Sequence, residues 1–421
     1  MIAASVQPEV SNVGEAKEEP EAPEVRVLVG LLVYDGETFV PSTLESLVAM
    51  RAASRVSVEV VVFDDASPLP GWSKRLEALC GRLDIGYYCS PRNLGIPRNM
   101  NLVLGYGEAG GFALTVLLNS DVIVPANLAD ELVSTWQCAE QDGGGAVGSI
   151  TAWSNNASVF SLPNADADQF VSDQRSVDRV ASLLASGERH NVVDLPVGMG
   201  FCLAIPAEAI GTVGLMDPVF GRGYCEEVDW CNRATERGLR HVLAITTFVY
   251  HMGSATTRLA GLLAPGEQTV QVNEAIIDER YPLYRSRIAR WERDGGVKAA
   301  VSEATSMLVR AGARERGYAI HAGWLPSQRT TGSTGHLDDR SVQFHVTPDG
   351  RAPLVHAMHD GFRVELDTSD LGILEAVAAF VGDNPNEVRI SDYGSVSSQL
   401  DVAARSRGVR VERLPRYRER V

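Results

Sequence analysis

Lysine is almost missing from this chain. Of its 38 basic residues only Lys17, Lys74 and Lys298 are lysine, an arginine bias that more often follows genome composition than function. Basic charge is scarce altogether: 54 acidic residues leave a formal net charge of −16, which argues against a global electrostatic grip on nucleic acid. The six cysteines (80, 89, 138, 202, 225, 231) form no C-x-x-C pair and have no regular spacing. They read as buried or idle thiols in a reducing cytoplasm, and not as a disulfide framework. The uncharged run 241–257 holds two His, four Thr, a Gly and a Ser, a poor spanning helix, so no transmembrane segment is expected. Residues 1–24 lack a basic start and an apolar stretch, so no signal peptide is expected.

Several chemical signatures are missing too. No G-x-G-x-x-G follows the first apolar run, which disfavours a nicotinamide or flavin dehydrogenase, and no P-loop occurs. No H-E-x-x-H or paired Cys/His spacing suggests zinc, and no G-x-S-x-G elbow suggests a serine hydrolase.

At 421 residues the chain is long enough for two or three domains. Residues 1–24 carry six Glu, three Pro and one Lys, the composition of a disordered acidic tail. A domain is expected over 25–258, opening with RVLVGLLVY at 26–34, a strand apolar on both faces. Helical spacing of Val40, Leu44, Leu47 and Val48 follows, then strands at 58–63, 85–89, 113–118 and 146–150. Helices are expected near Pro97 and over 127–141. This alternation predicts a doubly wound, mostly parallel α/β sheet, with ligands at the strands' carboxyl ends. Residues 151–195 read as a long loop with one helix at 177–185, and LPVGMGFCLAI at 195–205 as a strand passing close to a backbone or ligand. Helix starts at 226–229 and a strand at 241–250 complete the domain. Residues 259–312 read as a helical linker and 313–421 as a small α/β accessory domain with a hairpin turn at 347–351 and a basic end.

The polar residues gather at strand ends: Asp35, Asp64 and Asp65, Asn93, and Asn119, Ser120 and Asp121. Turn and cap chemistry accounts for any one of these groups, but less readily for all of them together. A carboxylate such as Asp121 suits a hard divalent cation, and the imidazole of His251 tolerates Mn²⁺ better than Mg²⁺. Glu226, Glu227 and Asp229 crowd three carboxylates into four residues. Such crowding raises a pKa and suits a general base, though acids also simply stabilise a helix N-terminus.

Taken in order, these residues resemble the family 2 glycosyltransferases, inverting nucleotide-sugar enzymes of GT-A fold. The resemblance runs from about residue 25 to 255. It is carried by Val33-Tyr34-Asp35-Gly36-Glu37, Asp64-Asp65-Ala66-Ser67, Asn93-Leu94-Gly95 with Asn101, Leu118-Asn119-Ser120-Asp121, the stretch 221–233 and His251. The N-x-D run at 119–121 is shared with rhamnosyltransferase-like members. The resemblance implies that Leu32, Tyr34, Asp35, Asp65, Gly95, Asn101, Asn119 and Ser120 line the nucleotide and donor pocket. Asp121, with His251 as second ligand, would hold Mn²⁺ or Mg²⁺ through the diphosphate. Glu227 would be the general base, and Glu226 or Asp229 would orient the acceptor or the base. Asn119 replaces the first Asp of the family's D-x-D, and Glu227 stands where Asp is commoner.

The implied partners are a UDP-, dTDP- or GDP-linked sugar and a glycan, lipid-linked or small-molecule acceptor. A cytoplasmic enzyme, or one peripheral at the inner face of the membrane, is the matching expectation, with residues 313–421 recognising the acceptor or building a homodimer. Three other readings compete: a retaining transferase on the same fold, an inactive glycan- or nucleotide-binding scaffold, and a sugar-nucleotide pyrophosphorylase. The last lacks its Gly-rich basic loop near the first strand.

Overall fold

The computed structural model describes residues 25–157, 161–162, 173–186, 192–253, 268–322, 342–347, 354–359, 362–366, 372–383, 385–390 and 395–413. The expected acidic tail, the turn residues 348–351 and the end of the basic segment lie outside them.

The chain opens with β1 (Arg26–Val33), α1 (Val40–Ala53), β2 (Ser57–Asp64), α2 (Trp72–Arg82), β3 (Gly86–Cys89), α3 (Ile96–Ala109), β4 (Leu114–Asn119) and β5 (Val122–Ile123). Next come α4 (Leu128–Gln141), β6 (Val147–Ser154), α5 (Gln174–Ala185), β7 (Val193–Leu195), β8 (Cys202–Pro206), α6 (Ala207–Val213), α7 (Glu226–Glu236) and β9 (Arg240–His251). These nine strands form one sheet in the order β3-β2-β1-β4-β8-β6-β9-β5, with β7 also on β9. Alternate residues of β1 feed two cores. Val27, Val29, Leu31 and Val33 join one buried cluster, and Leu28 and Leu32 join the other. A strand covered on both faces must be apolar throughout, as β1 is.

The sheet is mixed. β1, β2, β3, β4, β6 and β9 run one way, while β8 lies antiparallel between β4 and β6, and β5 and β7 lie antiparallel to β9. The single strand expected at 195–205 is in fact two, β7 and β8. Pro196, Gly198 and Gly200 lie in the link between them, residue types that break a ladder.

After β9 come α8 (Thr269–Arg280), α9 (Tyr284–Arg293) and α10 (Lys298–Arg316). The remainder is β10 (Tyr318–Ala322), β11 (Val342–Thr347), β12 (Leu354–His359), β13 (Phe362–Leu366), α11 (Ile373–Val381), β14 (Glu387–Ile390), α12 (Ser395–Ser406) and β15 (Arg410–Arg413). Its six strands form a second sheet, β13-β12-β11-β10-β14-β15, with β11 and β12 antiparallel as the hairpin reading expects. The expected boundary at 312/313 falls inside α10. That helix packs on β11, β12 and β13 and also on α5, where Arg179 and Glu315 pair at 2.6 Å. Of the helices read as a linker, α10 thus packs on α5 as well as on the second sheet. No helix among the described residues is long and apolar enough to cross a membrane.

Candidate functional site

The carboxyl ends of β1, β2 and β4 bring the first group of polar residues together. Asp64 is fully buried at the end of β2. Its Oδ1 accepts from the Ser67 backbone N–H (2.9 Å) and hydroxyl (2.6 Å), and its Oδ2 from the Tyr87 hydroxyl (2.9 Å). The Ser67 hydroxyl oxygen in turn accepts the Asp35 N–H at 2.8 Å. Asp35 sits in the left-handed region (φ 61), and its carboxylate accepts the Leu69 N–H at 3.2 Å. Asp64 and Ser67 thus tie the β1 and β2 loops together. Leu32 stands in register with both Phe63 and Asn119, so it lies between these strand ends.

The side chains of Asp65 and Asn101 both bond to backbone groups. The two oxygens of Asp65 accept the Leu94 N–H (2.6 Å) and the Gly95 N–H (2.9 Å). Asp65 therefore orients the 93–95 loop by its own backbone bonds. Burial raises its pKa, against those two bonds. Asn101 exchanges both amide hydrogen bonds with the Met216 backbone, at 2.9 and 2.8 Å, and pins α3 to the 214–217 loop. Gly95 has φ +82, and a Cβ there would meet the Gly221 carbonyl oxygen at 2.1 Å. Only glycine allows the 93–95 loop to pack this closely on the turn before α7.

Asp121 follows β4, and the short antiparallel pairing of β5 with β9 sets it beside His251. Both are largely buried, with His251 Nε2 3.4 Å from Asp121 Oδ1. His251 Nδ1 lies 3.0 Å from the Asn156 carbonyl oxygen, which can only accept, so Nδ1 carries a proton. Phe201 stacks on the ring, centroids 5.4 Å apart at 16°. Burial works against the imidazolium, but Asp121 and the Asn156 carbonyl outweigh it and hold the His251 pKa above its ordinary value. A carboxylate and an imidazole fixed through its other nitrogen make a donor pair that fits a divalent cation. No cluster of three His, Cys, Asp or Glu suited to a metal occurs among the described residues. Other ligands would have to come from outside these side chains. Asn119 and Ser120 lead into Asp121, with the Asn119 N–H on the Phe201 carbonyl (2.9 Å) and the Ser120 carbonyl accepting from the Thr43 hydroxyl (2.7 Å). Tyr34, half-buried, directly follows β1.

The third group sits at the start of α7. The turn before it is strained: Gly221, Gly223, Tyr224 and Cys225 all have positive φ, at 58°, 127°, 73° and 71°. Two consecutive non-glycine residues in this region cost of order 1–3 kcal/mol each, and such strain persists only where neighbours hold it. Glu226 follows, 4% exposed, and its Oε2 has no hydrogen-bond partner among the described residues. Burial, then the charge of Glu227, pushes its pKa well above the usual carboxylate range. Burial also raises Glu227, against the backbone N–H groups of the helix start. Glu227 is half-buried beside Gly200, whose added Cβ would stand 3.7 Å from its carboxyl carbon.

Asp229 is fully buried. Its carboxylate accepts from Arg233 (2.9 Å), Arg280 (2.8 Å) and the Tyr281 hydroxyl (2.9 Å). These bonds anchor α8 to α7.

Gly200 and Phe201 join the groups. Gly200 borders Glu227, and the next residue touches both His251 and Asn119. The glycines of 195–205 signal this close approach, but Phe201 gives no sign of it in sequence. Asp64 and Ser67, equally central, are visible only as the first and last letters of D-D-x-S.

No protein-family model and no curated protein sequence matches the chain. Among solved structures it is similar to GalNAc-T7 with UDP, GalNAc and Mn²⁺, at 13% identity and a TM-score of 0.42, over 62% of this chain and 50% of that one. It is also similar to the mannosyltransferase PcManGT from Pyrobaculum calidifontis in complex with GDP-Man and Mn²⁺ (16%, TM-score 0.40, 69% of this chain and 76% of that one). A third is S. aureus TarS 1-349 (14%, TM-score 0.37, 68% and 81%). The chain spans half the length of the first of these.

Proposed function

We propose that the chain is an inverting, GT-A type glycosyltransferase that moves a sugar from a UDP-, dTDP- or GDP-linked donor to an acceptor hydroxyl. The observation that carries this reading is the Gly200-Phe201 junction. Gly200 borders the Glu227 carboxyl, and Phe201 stacks on His251, which lies 3.4 Å from Asp121. Membership of family 2 and a rhamnosyltransferase-like donor belong to the same proposal, on the motifs at 64–67 and 119–121.

In this reading Asp64, Ser67 and Asp35 shape the pocket wall for the nucleoside, and Asp65 holds the 93–95 loop against it. Glu227 removes the acceptor proton as the hydroxyl oxygen bonds to the anomeric carbon. The bond from that carbon to the diphosphate oxygen breaks on the opposite face, and its electron pair leaves with the nucleoside diphosphate. One displacement inverts the centre. Burial raises the Glu227 carboxyl above its ordinary value, which makes its carboxylate a better proton acceptor. Asp121 and His251 would hold Mn²⁺ or Mg²⁺, which when bound neutralises charge on the leaving diphosphate.

Glu227→Gln is the direct test. Turnover of a UDP-, dTDP- or GDP-sugar is expected to fall roughly 10²–10⁴-fold with nucleotide binding intact, the usual weight of a general base. Turnover near that of the wild type would remove Glu227 from the role, and NMR of the product anomer would separate inversion from retention.

A further inference from the structure

The strained turn before Glu226 is held from a helix outside the 25–258 segment. Asn273, 4% exposed in α8, directs its side-chain Nδ2 at three carbonyl oxygens of that turn: Phe220 (3.0 Å), Gly223 (2.7 Å) and Tyr224 (3.0 Å). A single –NH₂ group thus serves the carbonyls of residues on both sides of Gly221, where the backbone turns left-handed. The other end of α8 is fixed as well. Arg280 bridges Asp229 and Asp217, each at 2.8 Å, and the Tyr281 hydroxyl adds a bond to Asp229. One face of α8 is therefore bolted to the turn and to Asp229 in the first turn of α7, and Glu226 and Glu227 lie between the two attachments. The same turn presents the Gly221 carbonyl to Gly95, so its conformation also sets one wall of the 93–95 loop.

We infer that Asn273 is a positioning residue. It holds the 220–225 turn in its left-handed course and thereby aims the Glu226–Glu227 carboxyl pair. This rests on reading that pair as the proton-accepting part of a glycosyl transfer site. An amide suits the task because it presents two hydrogens to carbonyls and carries no charge. A carboxylate of the same shape would face three carbonyl oxygens with no proton to give. The role is distinct from general support of the fold, since the three bonds converge on the one backbone segment that precedes the pair.

The test uses the full chain and two readouts on Asn273→Ala, at a temperature where circular dichroism shows it folded. The first is hydrogen exchange of the amides of 221–227, which needs no substrate. Exchange there is expected to rise at least about tenfold while strands β1 and β4 stay as protected as in the wild type. The second is release of nucleoside diphosphate from whichever UDP-, dTDP- or GDP-sugar the wild type consumes. There kcat is expected to fall roughly 10- to 100-fold with KM within about threefold, the pattern of a misplaced group that does not itself bind the donor. Asn273→Gln keeps the amide but displaces it by one methylene, and it should fall between Ala and wild type. It also serves as the comparison should the alanine variant not fold. Unchanged exchange in the turn overturns the inference, as does raised exchange with unchanged kcat. If the wild type turns over no nucleotide sugar, the glycosyl transfer reading falls instead, and the exchange readout alone still decides whether Asn273 holds the turn.

Discussion

Glu226 and His241 are both buried, and they tilt the pH dependence of stability in opposite directions. Glu226 has its folded pKa raised above the unfolded value. The folded chain therefore keeps a proton that the unfolded chain releases, and stability present below the unfolded pKa is lost as pH rises. Glu226→Gln, a permanent copy of the neutral acid, should raise Tm at pH 8 and change it little near pH 4. A lower Tm at pH 8 would show that Glu226 is charged and paired. His241 does the reverse. Its ring nitrogens meet Ser149 Oγ (2.8 Å) and the Cys231 carbonyl (3.0 Å), and burial lowers its pKa from 6.5 to about 4. Below the unfolded value the unfolded chain gains a proton that the folded chain refuses. Stability should fall between pH 6.5 and pH 4, by up to about 3 kcal/mol from this group. Urea midpoints across that range should show a shallower acid limb in His241→Gln. An identical limb in both proteins would assign the loss to other groups.

At the scale of elements, the contact between the 93–95 loop and the turn before α7 is made possible by Gly95. Gly95→Ala would add a carbon 2.1 Å from the Gly221 carbonyl oxygen at a φ of +82. Backbone must shift there, at a cost of about 2–4 kcal/mol. The variant should lose several degrees of Tm and bind nucleotide more weakly. A variant as stable as the wild type would show that the loops do not meet. These elements differ in how plainly they were written in the sequence. β1, β2 and β4 are legible because a strand buried on both faces has little choice but an apolar run. The start of α7 is legible because acids gather at a helix N-terminus. α2 is not, since its buried residues Trp72, Leu76 and Cys80 make a stripe one residue wide. The reversed direction of β8 is equally hidden, because an apolar strand reads the same whichever way it runs. Apart from the Arg233–Asp229 pair, the roles of Asp65, Asp229 and Asn273 are set by partners 29 to 53 positions away, and no local pattern announces such pairs.

At the scale of the whole molecule, the second sheet is not a loose appendage. α10 packs on both α5 and the second sheet, and one buried cluster runs from Val177 and Leu184 through Leu308 and Val309 to Phe344 and Val377. Calorimetry of the full chain should therefore give one cooperative transition, and two separated ones would mean that the sheets unfold independently. In the proposed transferase the Asp121–His251 pair binds a nucleotide through a cation. The measurement that tests it most directly is thermal stability with UDP-, dTDP- and GDP-sugars, each with and without Mn²⁺, for wild type and Asp121→Ala. A ligand at 100 times its Kd adds about 2.7 kcal/mol to the folded state, enough to read. One nucleotide is expected to stabilise the wild type only with Mn²⁺, and Asp121→Ala to lose this response. Equal stabilisation of both proteins, or none by any nucleotide with Mn²⁺, would contradict that binding.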